Sequence, residues 1–194
     1  PRNITKAHKA GENTPQRWET TDPPGVAGSY GPADRAWALR ELAIDLQGWQ
    51  AYVVDRIMRH DAAGNLVHRI ALISTARQNG KSVVVRAIFG WLLHEGRNLP
   101  AFQEWTTLLA AAHDAKQARI IYRGVLGDLL RVEDLTSQMR GRNAPVRMTE
   151  YFGISVWGLT LDTVTGQPGS ARGLSAGAIA WDEMLTQRDW DMWE

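Results

Sequence analysis

The sequence predicts an α/β fold in which helices flank a mainly parallel central sheet. Two observations support this prediction. Apolar runs of strand length alternate along the chain with longer stretches of helical periodicity, and strands that are separated by helices pair in parallel. In addition, polar residues that can carry chemistry follow two of the apolar runs, as expected where a ligand binds beyond the carboxyl ends of parallel strands.

Composition narrows the class of protein. The chain has 194 residues, of which 44% are hydrophobic and 22% charged, enough for one sizeable core and too few for two comfortable domains. The absence of cysteine excludes a disulfide scaffold and cysteine-based metal sites. No apolar run approaches about 18 residues, so no membrane span or membrane partner is expected. The net charge of +1 does not by itself indicate a nucleic-acid binder.

The first third of the chain is expected to hold an arm and two helices. Residues 1–31 are predicted to form an extended N-terminal arm, because proline and glycine recur there, and residues 32–194 a single domain. A helix is expected from about Pro32, where apolar residues recur with loose helical spacing, and a second over residues 49–58. Glycine and asparagine in the segment 60–65 predict a turn.

The remainder of the chain alternates strands with helices. The apolar run at 67–75 predicts a buried strand, and the segment 80–94 predicts a helix with one buried face made by Val84, Ile88, Trp91 and Leu92. The same two patterns predict a buried strand at 106–112, a helix from His113 to about Leu130, strands at 146–149 and 152–161, a loop at 163–169 and a fully buried parallel strand at 178–181.

The nine tryptophans of the chain raise the question of base stacking. Trp37, Trp49, Trp91 and Trp181 fall on faces that are predicted to be buried. Core packing is therefore the expected role of these rings, rather than contact with nucleic-acid bases.

A phosphate-binding loop is predicted where the strand at 67–75 turns into a helix. The segment Thr75-Ala-Arg-Gln-Asn-Gly-Lys-Ser82 fits the pattern G-x-x-x-x-G-K-[ST], except that Thr75 occupies the first glycine position. Backbone N–H groups at a helix start lack intrahelical partners and lie at the positive end of the helix dipole, so they suit a polyphosphate. A chance Gly-Lys-Ser sequence on a surface turn is the alternative.

Individual residues of this loop have separate expected roles. Gly80 lets the main chain come close to the ligand, Lys81 is placed to reach the β- and γ-phosphates, and the Ser82 hydroxyl is expected to bind Mg²⁺. The complete set expected to bind the nucleotide in this loop is Arg77, Gln78, Asn79, Gly80, Lys81 and Ser82.

A second motif follows about a hundred residues later. The short apolar run at 178–181 ends at Asp182 and Glu183. In a parallel sheet such a strand ends beside the phosphate loop, so that Asp182 can hold Mg²⁺ and Glu183 can orient and deprotonate the attacking water. The alternative is an acidic pair that caps the next helix. Because the two motifs occur together and in this order, hydrolysis of a nucleoside triphosphate is the favoured interpretation.

Four segments in order resemble the ATPase domain of the large terminase subunit of tailed bacteriophages. They are Leu46-Gln-Gly-Trp-Gln50, Ala76-Arg-Gln-Asn-Gly-Lys-Ser82, Ala110-Ala-Ala-His-Asp-Ala-Lys-Gln-Ala118, and Ser170-Ala-Arg-Gly-Leu-Ser175 leading to Trp181-Asp-Glu183. The resemblance covers roughly residues 15–194, and the family tolerates the missing first glycine. It implies a three-layer P-loop NTPase fold of the additional-catalytic-glutamate type, with ATP and Mg²⁺ as cofactors.

The resemblance also implies roles for three further side chains. Gln50 would contact the adenine base, and Arg77 would reach the γ-phosphate within the same subunit. Arg172 would act as an arginine finger in the site of the neighbouring subunit. Each has a structural alternative that stays open: a surface glutamine packed behind Trp49, a solvated loop arginine, and an arginine paired locally with an acid.

The activity that the resemblance implies is Mg²⁺-dependent ATP hydrolysis that drives double-stranded viral DNA into a procapsid. The implied partners are double-stranded DNA, the other subunits of a homo-oligomeric ring (a pentamer by resemblance), the phage portal and the small terminase subunit, in the cytoplasm of the infected bacterial host. A lid and a metal-dependent nuclease domain are expected only beyond residue 194. The alternatives are a P-loop helicase or other nucleic-acid motor, and a nucleotide-binding assembly module that is inactive in isolation.

Overall fold

The computed structural model describes residues 20–75, 79–99, 107–139, 144–148, 153–165 and 176–181, and the structural statements below refer to these residues. The chain divides into two compact units, Pro1–Ile88 and Phe89–Glu194. Sequence length alone predicts one domain.

Two helices form the core of the first unit. Helix α1 spans Gly31–Leu42, with a proline in its first turn, and ends at Ala43 in a left-handed conformation (φ 54°). Helix α2 spans Gly48–Ile57 and packs against α1. Their buried apolar side chains include Trp37, Leu42 and Val54. Both helices lie within a residue or two of the predicted starts, as local periodicity permits.

The end of the predicted arm is held by pairing. Strand β1, Gly28–Ser29, pairs antiparallel with strand β2, Arg59–His60. Asp22 forms ion pairs with Arg56, at 2.8 Å, and with Arg59. Composition predicts an irregular segment here, whereas partners from α2 and β2 give residues 20–29 a defined path. Residues 1–19 lie outside the described part of the chain, and the boundary at residue 31 stays a prediction.

The prediction of a buried strand at residues 67–75 is wrong. The segment is neither helix nor strand, and its Ile70 and Leu72 side chains are 87% and 81% exposed. An apolar run forms a strand only where a neighbour offers the other half of the ladder. Within the described residues of this unit, strand-like pairing near the segment is limited to an isolated bridge between His60 and Leu66 and the hydrogen bond from Val67 N to Arg59 O.

Helix α3 follows the predicted phosphate loop and spans Lys81–Glu95. The four side chains predicted to share its buried face are all buried, since Val84, Ile88, Trp91 and Leu92 are between 0% and 8% exposed. A short 3-10 turn, Gly96–Asn98, continues from its end.

A five-stranded sheet forms the centre of the second unit. Its strands are β3 (Thr107–Ala112), β4 (Val146–Met148), β5 (Ile154–Val156), β6 (Leu159–Thr165) and β7 (Ala178–Trp181), in the order β4-β5-β6-β3-β7. Strand β3 pairs in parallel with β6 and β7, whereas β5 is antiparallel to both of its neighbours. Four of the five strands therefore run in one direction, which confirms a mainly parallel sheet.

Helices cover this sheet. Helix α4, Ala115–Leu129, packs across β3 and β6, and its start is capped by Asp114, whose carboxylate accepts a hydrogen bond from Gln117 N. A short helix α5, Glu133–Ser137, follows. Helix α4 begins and ends almost where predicted, because its strong amphipathic pattern and its capping residue agree.

Three strand predictions need correction. The single strand expected at 152–161 is divided into β5 and β6 by a turn at Trp157 and Gly158, both with positive φ. Strand β6 continues to Thr165, where a loop was expected. Strand β7 is parallel to β3 as predicted, but it is only partly buried, with Ile179 41% exposed. Among the described strands it pairs with β3.

Candidate functional site

Gly80 joins the predicted phosphate loop to helix α3. Its φ is +81°, a left-handed conformation that glycine adopts without the steric penalty of a side chain. Its carbonyl accepts a hydrogen bond from Val83 N at 3.1 Å, an i→i−3 bond at the start of α3. Lys81 is then the first residue of α3, so the loop delivers the chain directly into a helix start, where free backbone donors collect.

Gln50 holds Gly80 from the side of α2. It is only 4% exposed, and its Nε2 donates to Gly80 O at 3.1 Å. Its Oε1 accepts from Gln47 N at 2.8 Å, one half of a reciprocal capping box at the start of α2. A Cβ on Gly80 would lie 2.6 Å from Gln50 Nε2. The loop and the start of α2 are therefore in direct contact, and a side chain at position 80 would displace the Gln50 amide.

Thr75 holds two polar side chains of the loop. Lys81 Nζ donates to Thr75 O at 3.4 Å, and Asn79 Nδ2 donates to Thr75 Oγ1 at 3.2 Å. The residue that occupies the first glycine position of the motif thus contributes its hydroxyl and carbonyl to the loop. Ser82 lies in the first turn of α3 and is exposed.

An open cleft lies beside this contact. Its volume is about 530 Å³, within the roughly 300–1,000 Å³ typical of small-molecule sites. It is lined by Asp45, Gln47, Trp49, Gln50, Asn79, Gly80 and Val83. The Trp49 ring is half-buried, and its Nε1 donates to Gln47 Oε1 at 3.2 Å. Sequence reasoning assigned Trp49 to the core and did not single out Asp45 or Gln47.

The structure brings together half of the predicted site. Gln50, Asn79, Gly80, Lys81 and Ser82 lie in one neighbourhood around the start of α3. The other predicted residues, Arg77, Gln78, Arg172, Asp182 and Glu183, lie outside the described part of the chain.

A solved structure shares this architecture. The chain matches the crystal structure of the HK97 bacteriophage large terminase with a TM-score of 0.61 at 17% sequence identity, over 80% of this chain and 31% of that one. The fold is terminase-like. The chain spans less than a third of the length of that terminase, and at this identity the similarity concerns the fold alone. No protein-family model and no curated protein sequence matches the chain.

The terminase-like fold carries no preformed metal cluster in its described part. Among those residues, no group of three or more histidine, aspartate or glutamate side chains is arranged to hold a metal ion. The predicted Mg²⁺ ligands are Ser82, which is exposed, and Asp182, which is outside the described residues. Within the same residues, no helix has the length and apolar character needed to cross a membrane.

A strongly shifted carboxyl group lies outside the cleft lining. Asp34, in the first turn of α1, is fully buried, and neither of its carboxylate oxygens has a hydrogen-bond partner among the residues that the structure describes. Burial raises the pKa of Asp34 to about 7 because a charged carboxylate loses its hydration there. Asp34 is thus a feature of the α1 core rather than of the cleft lining.

Proposed function

We propose that the chain is the ATPase part of a phage large terminase, and that it hydrolyses ATP with Mg²⁺ to move double-stranded viral DNA into a procapsid. The observation that carries the proposal is the position of the Gly80–Lys81 loop. It opens helix α3 and lines a cleft of about 530 Å³ in a chain with a terminase-like fold.

The residues around the loop fit a nucleotide. The backbone donors at the start of α3 suit phosphate oxygens, and the cleft on the α2 side is large enough for a nucleoside. Lys81 Nζ makes a long hydrogen bond, 3.4 Å, to the neutral carbonyl of Thr75. A charged phosphate oxygen is a stronger acceptor, so the ammonium group can exchange this partner for the ligand. The half-buried Trp49 ring at the cleft offers a face to a base.

The chemistry is assigned to residues that the resemblance identifies. Ser82 and Asp182 would hold Mg²⁺, which supplies charge neutralisation between the β- and γ-phosphates. Glu183 would take a proton from the attacking water. Arg77 would stabilise the γ-phosphate within the subunit, and Arg172 would do so from a neighbouring subunit.

The finer architecture belongs to the same proposal. It comprises a three-layer P-loop fold of the additional-catalytic-glutamate type, a homo-oligomeric ring that is a pentamer by resemblance, and contacts with double-stranded DNA, the portal and the small terminase subunit in the cytoplasm of an infected bacterium. The mainly parallel sheet of the second unit and the match to a large terminase support the α/β fold in this proposal, and the ring and the partners rest on the sequence resemblance.

The first test is nucleotide binding by a charge-matched pair of variants. Lys81 and Lys116 each lie in the first turn of a 15-residue helix, and Lys116 is exposed. Calorimetry should show that Lys81→Ala weakens binding of MgATP roughly 10- to 100-fold, whereas Lys116→Ala leaves it unchanged. Equal behaviour of the two variants would refute the assignment of the loop.

The second test concerns hydrolysis. Glu183→Gln should retain ATP binding and stop turnover, and normal turnover would exclude Glu183 as the base. In mixtures, Arg172→Ala and Lys81→Ala chains should restore part of the activity if Arg172 acts across subunits. Stimulation by double-stranded rather than single-stranded DNA separates a packaging motor from a helicase.

A further inference from the structure

We infer that Gln50 is a positioning residue for the phosphate loop rather than the residue that recognises the base. The inference rests on the proposed function, because it assumes that the loop binds phosphates. It departs from the role that sequence resemblance gives to this glutamine.

The first reason is that both ends of the Gln50 amide are engaged within the protein. Oε1 accepts from Gln47 N at 2.8 Å, and Nε2 donates to Gly80 O at 3.1 Å. The side chain is 4% exposed. A primary amide has two N–H donors and two acceptor positions, so half of its capacity is committed in directions that its burial fixes.

The second reason is the geometry of the peptide that Gln50 holds. The carbonyl of Gly80 and the N–H of Lys81 belong to one planar trans peptide, and they point in opposite directions. The Gly80 carbonyl accepts from both Val83 N and Gln50 Nε2, so the bond from Gln50 adds to the helical bond in fixing the direction of the Lys81 N–H. That N–H belongs to the first residue of α3 and is one of the donors that a helix start offers to an anion.

The third reason is the close approach of the two residues. Gly80 has a φ of +81°, and a Cβ at this position would lie 2.6 Å from Gln50 Nε2. The Gln50 amide thus occupies the space that a Cβ atom of residue 80 would need. Because Gln50 also belongs to the capping box of α2, the start of α2 and the loop form one fastened unit, and the base is left to the remaining cleft residues, Gln47 and Trp49 among them.

The test compares ligands that share phosphates and differ in the base. Binding of MgATP, MgGTP and the magnesium complex of inorganic tripolyphosphate is measured by calorimetry for the 194-residue chain, for Gln50→Met and for the control Gln138→Met, at the end of α5. Methionine fills a similar volume without the amide. Gln50→Met should weaken binding of all three ligands by the same factor, roughly tenfold. Gln138→Met should leave binding of all three unchanged, since the Gln138 side chain bonds to Asp134 and Trp157.

The pattern of losses across the three ligands separates a positioning role of Gln50 from contact with the base. If Gln50→Met weakens ATP while tripolyphosphate binding stays the same, or if it changes the preference for ATP over GTP, Gln50 contacts the base and the inference is overturned. Should Gln50→Met not fold, as judged by thermal denaturation, Gln50→Leu replaces it, because leucine also removes the amide and adds no charge near the phosphates. Equal losses across the three ligands are expected for it as well.

The proposed function and this inference fail in different ways. If the unmodified chain binds none of the three ligands, or if Lys81→Ala binds them normally, the proposed function is refuted and the inference with it. If Lys81→Ala loses binding of all three and Gln50→Met loses none, only the inference is refuted.

Discussion

Replacement of Gly80 by alanine tests the loop geometry through stability. Two effects act against the variant. A left-handed conformation costs an alanine about 1–2 kcal/mol, and the new Cβ, 2.6 Å from Gln50 Nε2, displaces a buried hydrogen bond that contributes about 1 kcal/mol. Against these, alanine reduces the entropy of the unfolded chain by about 0.4–1 kcal/mol. The net loss in the free energy of unfolding is therefore about 2 kcal/mol.

The assay is urea denaturation of Gly80→Ala in two backgrounds. In a Gln50→Ala chain the close contact no longer exists, so Gly80→Ala should cost about 1 kcal/mol less than in the unmodified chain. The matched control is Gly127→Ala. This glycine lies on α4, and a Cβ there meets nothing within 4 Å, so alanine should stabilise by roughly 0.5–1 kcal/mol.

Additive effects of the Gly80 and Gln50 substitutions on the free energy of unfolding would refute this contact. If Gly80→Ala costs the same in both backgrounds, within about 0.3–0.5 kcal/mol, the two residues do not contact each other in the folded protein. A stabilising effect of Gly80→Ala similar to that of Gly127→Ala would show, in addition, that the positive φ of Gly80 is not required.

Two further predictions concern carboxylates. Burial raises the pKa of Asp34 from 3.8 to about 7, so the unfolded chain releases this proton at a lower pH than the folded chain. The free energy of unfolding should therefore fall by up to about 4 kcal/mol between about pH 4 and pH 7 and stay constant above pH 7. Asp34→Asn should remove this dependence, and thermal denaturation at pH 5 and pH 8 checks it; parallel profiles of the two proteins would contradict it. Asp114→Ala should lose the hydrogen bond from Gln117 N, which is 2.9 Å long, and should lower the free energy of unfolding by about 0.5–2 kcal/mol. Asp114→Asn should retain most of that free energy in the same assay.

The fold could be predicted where local and long-range preferences agree. Helix α4 combines an aspartate cap with a strong apolar face, and the sequence shows both. Strand β3 is a continuous apolar run between two parallel neighbours, and all but its first residue are buried. In both elements most of the residues that are apolar in the sequence are ones that the fold buries.

The segment at 67–75 could not be predicted in this way. Its apolar residues satisfy the pattern of a buried strand, yet Ile70 and Leu72 are exposed. The pattern therefore indicates a preference for strand structure and does not reveal whether a neighbouring strand is present. Strand formation depends on which other strand lies alongside, and periodicity in one segment carries no information about that. The same limit explains why β7 is predicted to be fully buried although it has only one described neighbour.

The candidate site shows a related limit at the level of single atoms. A glutamine near a phosphate motif can serve either a base or the backbone, because its amide donates and accepts equally well, and residue type alone does not decide between them. The spacing of Gln47 and Gln50 does contain a signal, since a residue three positions after a helix cap returns its side chain to the cap backbone. That bond fixes Oε1, and the rest of the amide then lies where Gly80 passes. Capping geometry at the start of α2 therefore commits one acceptor position of the Gln50 amide, and the contact with Gly80 commits one of its donors.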